Sequence, residues 1–393
     1  MVSPGARRLF GKDSVKVLNV NDMLDPVTGG GTAERTFQMS RALAKAGAVC
    51  AVLTSDLGLT SERICELGAT NVVACPSISR RFFIPRITYR RIREIVKQAD
   101  IVHLMGHWSA LNAIVYFVAS RLNKPYVVCP AGALPVYGRS RVLKRIYNWI
   151  VGNKLIRRAA CCIAITEAEI PQFQNYGVPR DRIVVIPNGI VPDGLPSRDP
   201  AAFREKYALG SAPIILFVGR LNHIKGPDLL LQAFCNLKDA LKEYQLVFVG
   251  PDGGMLEALR ETANRHGIAE RVRFLGYVGG SEKYQAYFAS DLLVIPSRQE
   301  AMSIVVLEAG ITGTPVLLTD QCGFNEVENI QGGRVTLASV YGLEKGLFEV
   351  LRNPSQLKPM GEKLKKYIAE HFAWDSIVNE YLELYRQYSK PHN

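Results

Sequence analysis

The sequence predicts an α/β protein built from two doubly wound, parallel-sheet domains. Short apolar runs alternate with amphipathic segments, a polar and proline-rich stretch interrupts this alternation at residues 191–200, and the alternation then restarts. Apolar runs that lack polar alternation are typical of parallel strands that helices cover on both faces. With 393 residues, the chain is long enough for two domains that each have a sizeable core.

The first half, residues 1–195, contains seven runs of strand length. They read SVKVLNV, AVCAVLTS, NVVACPS, DIVHLMG, PYVVCPA, CCIAITE and IVVIPNG. A glycine run at residues 29–31 follows the first strand, and ERTFQMSRALAKAG continues from it as a predicted helix. Glycines at a helix start let a phosphate approach the backbone, although a flexible turn explains them equally well. The glycines are contiguous, so they do not form the dinucleotide-binding fingerprint.

The second half, residues 196–374, restarts with PIILFVGR, a predicted buried strand, and LNHIKGPDLLLQAF leads from it into a helix. Arg220 lies at the end of this strand and Lys225 just before the helix. Two cations beside free helix amides suit a diphosphate, because arginine offers a planar fork and lysine a mobile point charge. Each cation alone is better explained as a surface residue. The last periodic segment, WDSIVNEYLELYRQY, starts at residue 374 and predicts an amphipathic helix, which we assign to residues 375–393.

A second strand-loop-helix unit, DLLVIPSR followed by QEAMSIVVLEA, carries two glutamates. Ligands bind at the carboxyl ends of strands in open parallel sheets, so Glu300 is expected in that crevice. Glu308 is expected about two turns into the helix, and the amides of Ser303 and Ile304 can face an anion. A solvated helix face is the alternative interpretation, but Arg220 and Lys225 occupy the same predicted edge.

Metal binding is not expected. His103 and His107 are four residues apart where a strand turns into a loop, so they do not share a helical face. The eight cysteines show no metal-ligand spacing, and there is no Asp-x-Asp motif. Buried reduced thiols explain the cysteines and favour a cytosolic protein. His103, within the strand, is expected to be a core or edge residue, whereas His107, past the strand end, is expected to project into a cleft.

GRLNHIKGPDLLLQAF, LVFVGPDGG, VRFLGYV and EAMSIVVLEAGITGTPVLL occur in an order and at a spacing that resemble the retaining glycosyltransferases of family 4. HLMGHW, VIPNGI and GGGTAERT extend the resemblance to the first half. It implies the GT-B fold, in which two Rossmann-like domains face a cleft, with the donor on the second domain, the acceptor on the first, and the last helix packed back on the first.

The resemblance also implies roles for individual residues. Arg220 and Lys225 would hold the donor diphosphate, Glu300 would meet the sugar and Glu308 the ribose. In the first domain, the glycine loop with Gly30 and Gly31 would approach the donor phosphate and sugar, and His107 would contact the sugar. The implied reaction retains the anomeric configuration and needs no metal ion or other cofactor beyond the nucleotide sugar.

Positive charge is concentrated in one region. The net charge is +12, and residues 80–160 hold sixteen Lys and Arg against Glu94 and Asp100. Aromatic and aliphatic residues interleave with these cations, as in helices that bind anionic lipid surfaces, although a solvated helix face is equally possible. No nucleic-acid binding motif accompanies the charge. We therefore expect a cytoplasmic enzyme, peripheral on the inner face of the plasma membrane, with a lipid-linked or saccharide acceptor.

Two other classes of function remain open from sequence. A nucleotide-sugar epimerase or phosphorylase on the same fold would need an acid and base pair or a pyridoxal phosphate lysine, and neither is identifiable. A basic protein could also bind nucleotide sugars or nucleic acid without turnover.

Overall fold

The computed structural model describes residues 14–79, 84–136, 140–192 and 195–389. They divide into two compact units, the first comprising residues up to Gly189 and from Trp374 onward, the second running from Ile190 to Ala373. The sequence predicts these boundaries at residues 195 and 375. Residues 193 and 194 of the proline-rich stretch lie outside the described residues.

The described part of the first unit contains nine strands. They are β1 (Lys16–Val20), β2 (Val49–Ser55), β3 (Asn71–Cys75), β4 (Ser77–Ser79), β5 (Ile84–Pro85), β6 (Ile101–Met105), β7 (Tyr126–Cys129), β8 (Cys161–Ala164) and β9 (Ile183–Val185). Strands β4 and β5 pair antiparallel. The others form a parallel sheet in the order β3-β2-β1-β6-β7-β8-β9. Strand order reverses between β1 and β6, which opens a crevice at their carboxyl ends.

Helices connect these strands. They are α1 (Pro26–Lys45), α2 (Ser61–Glu66), α3 (Tyr89–Gln98), α4 (Ala110–Arg121), α5 (Arg141–Tyr147), a π-helical turn (Asn148–Gly152), α6 (Asn153–Arg157) and α7 (Ile170–Asn175). The strands and the inner helix faces form the core, in which β6, β7 and β8 are buried along their whole length.

The second unit repeats the architecture. Its described strands are β10 (Ile214–Val218), β11 (Gln245–Val249), β12 (Val272–Phe274), β13 (Leu292–Ile295), β14 (Val316–Thr319) and β15 (Gly333–Thr336). They form a parallel sheet in the order β12-β11-β10-β13-β14-β15, which reverses between β10 and β13. The helices are α8 (Pro200–Lys206), α9 (Pro227–Asn236), α10 (Leu256–Arg265), α11 (Gly280–Phe288), α12 (Ile304–Thr312), α13 (Glu326–Asn329), α14 (Val340–Leu351) and α15 (Leu357–His371). The predicted fold class, two doubly wound parallel sheets, is confirmed.

The last helix, α16 (Trp374–Ser389), belongs to the first unit. Its Tyr381 and Tyr385 are fully buried. Arg35 of α1 donates to the hydroxyl of Tyr381, and the Nδ1 of His103 lies 2.7 Å from the hydroxyl of Tyr385. Buried polar groups must find partners, so these contacts fix the helix in one position. His103 lies in the core, as expected.

All eight cysteines are unpaired, and all except Cys65 are buried. Among the described helices, none combines the length and apolar character needed to cross a bilayer.

Candidate functional site

In the second unit, the loops after β10 and β13 meet where strand order reverses. Lys225 Nζ donates to Glu300 Oε1 at 2.8 Å, and Ser297 Oγ donates to the other carboxylate oxygen at 3.0 Å. The backbone amide of Glu300 donates to Gln321 at 2.9 Å, so the glutamate is fixed on the β14 side as well. The structure therefore places two predicted site residues, Lys225 and Glu300, in direct contact at the edge where ligands bind in such sheets.

Arg220 lies beside the loop after β11, which neighbours β10 on the side opposite β13. The amide of Leu221 donates to Pro251 and that of Gly253 to Leu221, both at 3.0 Å, which joins this loop to the loop after β11. A Cβ added at Gly253 would lie 3.0 Å from Arg220 Cγ. Arg220 thus lies toward β11 and Lys225 toward β13, so the two cations flank the end of β10.

Local structure fixes the loop that carries Lys225. Gly226 has φ +67°, and a Cβ there would lie 2.1 Å from the carbonyl oxygen of Pro296, so other residues do not fit. Arg298 donates two hydrogen bonds to Asp228, at 2.8 and 2.6 Å, and one to the carbonyl of His223 at 2.7 Å. Burial raises the pKa of Asp228, but the hydrogen bonds and charge of Arg298 outweigh it and lower the pKa below its ordinary value. Arg298 was not predicted as a site residue. Its position two residues before Glu300 was the feature of the sequence that could have indicated it.

The start of α12 faces the same edge. Ser303 is the N-cap residue and Ile304 the first helical residue, and no side chain caps this end. The hydroxyl of Ser303 is buried and has no hydrogen-bond partner among the described residues. The first amides of a helix lack internal partners and carry partial positive charge. This end is therefore suited to an anion, and binding by Ser303 and Ile304 stays a prediction.

Glu308 lies deeper than expected. Because residues 300–303 are not helical, it is the fifth residue of α12, just over one turn from its start rather than two. Its carboxylate is almost fully buried and accepts from Lys283 Nζ at 2.5 Å and from the Tyr287 hydroxyl at 2.7 Å. Both partners lie on α11 and were not singled out from sequence.

The glycine run of the first unit differs from expectation. The helix begins at Pro26, before the glycines, with Asp25 as its N-cap, and it kinks at Gly30 rather than starting there. Gly30 has φ 59° and ψ −145°, a conformation open essentially to glycine alone, and a Cβ on it would meet nothing within 4 Å. Gly31 follows in the second helical part and is exposed. The kink thus leaves the backbone at Gly30 accessible, and approach of a donor phosphate to it stays a prediction.

His107 does not project outward as expected. It is 1% exposed and is enclosed by the rings of Trp108, Tyr147 and Tyr176. Its Nε2 lies 2.8 Å from Asn148 Oδ1, so Nε2 carries the proton and Nδ1 is a buried acceptor without a partner among the described residues. Burial lowers the pKa of His107 to about 4; the hydrogen bond to Asn148 opposes the shift and the charge of Lys144 adds to it.

Asp22 is a further candidate in the loop after β1. Ser109, in the loop after β6, donates to its Oδ1 at 2.6 Å across the reversal of strand order. Burial raises the pKa of Asp22 to about 6, and the hydrogen bond from Ser109 lowers it only in part. Carboxyl groups with such pKa values are frequent at functional sites. The signal in the sequence was an acidic residue two positions past a buried strand.

No group of three or more His, Cys, Asp or Glu side chains in the described residues is arranged to hold a metal ion. Among the predicted site residues, the structure joins Lys225 to Glu300, places Glu308 in the adjoining helix, and keeps His107 and the glycines in the other unit.

Two family models match the chain. The model of glycosyl transferases group 1 matches residues 200–369, and the glycosyl transferase 4-like domain model matches residues 30–189. A D-inositol 3-phosphate glycosyltransferase of Nocardia farcinica is 34% identical over 320 residues, which is 77% of this chain and 70% of the relative. Its namesake in Corynebacterium urealyticum is 32% identical over 250 residues, 60% of this chain and 59% of the relative.

Among solved structures, HepE of Anabaena in complex with UDP and glucose superposes with a TM-score of 0.78. The match covers 94% of this chain and 99% of HepE at 18% sequence identity. At that identity the likeness concerns the fold, which is the GT-B fold of two Rossmann-like domains.

Proposed function

The chain belongs to the group 1 glycosyltransferases, and from this premise we propose that it is a retaining enzyme of family 4 that uses a nucleoside diphosphate sugar. The observation that carries the proposal is the contact between Lys225 and Glu300. It joins a cation suited to a diphosphate with a carboxylate suited to sugar hydroxyls, at the reversal of strand order.

The proposed reaction depends on stabilising the leaving group. As the bond between the anomeric carbon and the diphosphate oxygen breaks, its electron pair leaves with the diphosphate, whose charge grows. Arg220, Lys225 and the amides at the start of α12 stabilise that charge in place of a metal ion. The acceptor hydroxyl attacks from the face of departure, and its proton passes to the departing oxygen. No covalent enzyme intermediate is required.

The remaining residues position the donor. Glu300 orients the sugar hydroxyls, and Glu308 accepts from the ribose with lone pairs not used by Lys283 and Tyr287. Gly30 and Gly31 allow close approach of backbone to the donor. His107 reaches the sugar only after the residues that cover it have moved.

For the acceptor we propose a lipid-linked intermediate or saccharide of cell-surface polysaccharide or glycolipid assembly, with the enzyme peripheral on the cytoplasmic membrane face. The basic region 80–160 supports this choice, since a lipid diphosphate is anionic. A soluble phosphorylated polyol is a second candidate, because the relatives are named for D-inositol 3-phosphate.

Arg220→Ala and Lys225→Ala test the donor site. Each removes a cation from the leaving group, so kcat/KM for the donor should fall 100- to 1,000-fold, about 2.7 to 4 kcal/mol, with little change in Tm. Lys345→Ala, an exposed lysine of the same unit 3.9 Å from Glu349, is the matched control and should retain activity. Wild-type turnover in either folded site variant would overturn the assignment.

Loss of activity in EDTA, restored by manganese or magnesium, would overturn the metal-free mechanism.

Product analysis with a panel of nucleotide sugars separates the alternatives. A new glycoside supports transfer, an altered nucleotide sugar indicates an epimerase, and neither product indicates a binding protein. A thermal-shift screen selects the donor first, since a ligand at one hundred times its Kd stabilises the fold by about 2.7 kcal/mol.

A further inference from the structure

An apolar stripe is exposed on the segment formed by α5 and the π-helical turn, residues 141–152. Its members recur at helical spacing and are Val142, Leu143, Ile146, Trp149 and Ile150. Trp149 is 81% exposed and Val142 69%. A surface helix normally turns its apolar side chains toward the core. This segment presents them to solvent, and exposed apolar patches of this kind mark interaction sites.

The other side of the segment is fixed to the first unit. Asn148 bonds to His107 and also donates to the hydroxyl of Tyr176 at 2.7 Å. Gly152 is buried, and a Cβ there would lie 3.0 Å from His107 Nε2. The segment therefore cannot rotate its apolar stripe inward without breaking the contacts that enclose His107.

Positive charge surrounds the stripe. Arg141 and Arg145 are exposed on the segment and Lys154 is exposed just after it, and no acidic residue occurs between Asp100 and Glu167. Helix α3 in the same basic region differs, because its apolar residues Ile92, Ile95 and Val96 are buried and its arginines simply face water. The basic region thus divides into an ordinary solvated helix and a segment that is both cationic and apolar.

We propose that residues 141–152 dock in the interfacial layer of an anionic bilayer, with the apolar stripe among the acyl chains and the cations at the lipid phosphates. Apolar burial and charge attraction act together in such docking. A second copy of the chain fits less well, because two cationic surfaces would repel. This docking rests on the proposed peripheral membrane location of the enzyme, and it names the segment that contacts the lipid.

Trp149 reports docking directly. The chain has three tryptophans; Trp374 is buried, and the indole of Trp108 donates to the carbonyl of Ala133 at 2.5 Å. With phosphatidylglycerol-containing vesicles, the emission should shift to shorter wavelength and be quenched by brominated acyl chains. Phosphatidylcholine vesicles should give much less of both effects.

Variants test the surface independently of fluorescence. Leu143→Ser together with Trp149→Ser should reduce cosedimentation with anionic vesicles by about tenfold or more, because each substitution removes an exposed apolar side chain that docking would bury among the acyl chains. Tyr341→Ser, at an exposed aromatic residue of the second unit, is the matched control and should bind like wild type.

Three outcomes would overturn the proposal. They are absence of wild-type binding at low salt, vesicle-bound protein whose Trp149 stays accessible to a water-soluble quencher, and burial of Trp149 by self-association without lipid. Calorimetry with a nucleoside diphosphate, measured without vesicles, separates these outcomes from failure of the donor site.

Discussion

Both units have a contact across the point where strand order reverses, but the two contacts differ in charge. In the second unit it is the ion pair of Lys225 with Glu300 at 2.8 Å. In the first it is a hydrogen bond from Ser109, a neutral donor, to Asp22 at 2.6 Å. An ion pair can share its cation with an anionic ligand, whereas a carboxyl with a raised pKa suits a neutral one. The same sheet position is thus prepared for different chemistry.

The two units also differ in their buried histidines, and the largest expected effect is that acid unfolds the first unit before the second. Burial lowers the pKa of His103 to about 3 and of His107 to about 4, with the charges of Arg35 and Lys144 adding to the shifts. Both histidines are neutral when folded but titrate near 6.5 when unfolded. Their stabilisation is complete above pH 6.5 and is lost as pH falls toward 4, by roughly 3 kcal/mol for each histidine at most.

Tryptophan fluorescence isolates the first unit, because all three tryptophans belong to it, and hydrogen exchange of β10 and β13 follows the second. The pKa of Asp228 is lowered in the folded protein, so the stability that this carboxylate gives to the second unit is lost only as the pH falls below 3.8, its ordinary pKa. Coincident acid transitions in both units would contradict the prediction.

The next largest effect distinguishes the two site glutamates of the second unit, Glu300 and Glu308. Glu308→Gln should cost about 2 kcal/mol of stability, because it removes the buried carboxylate that lies 2.5 Å from the ammonium group of the largely buried Lys283. It should also weaken binding of the nucleoside diphosphate. Glu300→Gln should leave that binding largely intact and depress transfer.

Calorimetry with the diphosphate and kinetics with the full donor measure these roles, and unfolding in urea measures stability. Glu349→Gln, which removes partners of Arg334 and Lys345 in the same unit, is the control. Equal effects of the two site variants in both assays would remove the division of roles.

The smallest effect is the pH dependence of stability that Asp22 causes. Its sign is opposite to that of the pH dependence that the histidines cause. Its pKa is raised to about 6, so the folded state holds the proton more tightly, and the stability that this confers is lost as pH rises from 3.8 through 6. Asp22→Asn should therefore gain about 1 kcal/mol at pH 7, less than the roughly 3 kcal/mol that the pKa shift alone implies because the partly exposed carboxylate is screened by solvent, and little near pH 4. Urea unfolding at both pH values checks this. A gain of equal size at both would contradict the assigned pKa, and Asp56→Asn, at an exposed aspartate, is the control.

The alternation of apolar runs was sufficient to predict the sheets, because fully buried parallel strands need continuous apolar sequence. It also predicted that Lys225 and Glu300 follow strands of one sheet. It did not predict that β10 and β13 are neighbours, which depends on how the crossovers pack. The start of α1 could have been found from Asp25 and Pro26, since an aspartate N-cap followed by proline is a helix-start signal.

Burial of His107 could not be predicted in this way. Tyr147 and Asn148, which cover it, lie about forty positions later in the sequence, next to a π-helical turn that has no periodic pattern. Local sequence likewise does not show that Lys283 and Tyr287 of α11 occupy the carboxylate of Glu308. Contacts between elements distant in sequence decide both environments.

The return of α16 to the first unit also orders events during synthesis. The ribosome completes most of the first unit before it begins the second, yet Arg35 and His103 acquire Tyr381 and Tyr385 only when the final helix emerges. Until then, the groove that α16 fills exposes apolar surface, and the guanidinium of Arg35 lacks the hydroxyl of Tyr381 as a hydrogen-bond acceptor. The unit whose synthesis begins first is therefore completed only after the second unit has been made, and a chain truncated just before Trp374 would leave the first unit incomplete while the second unit is whole.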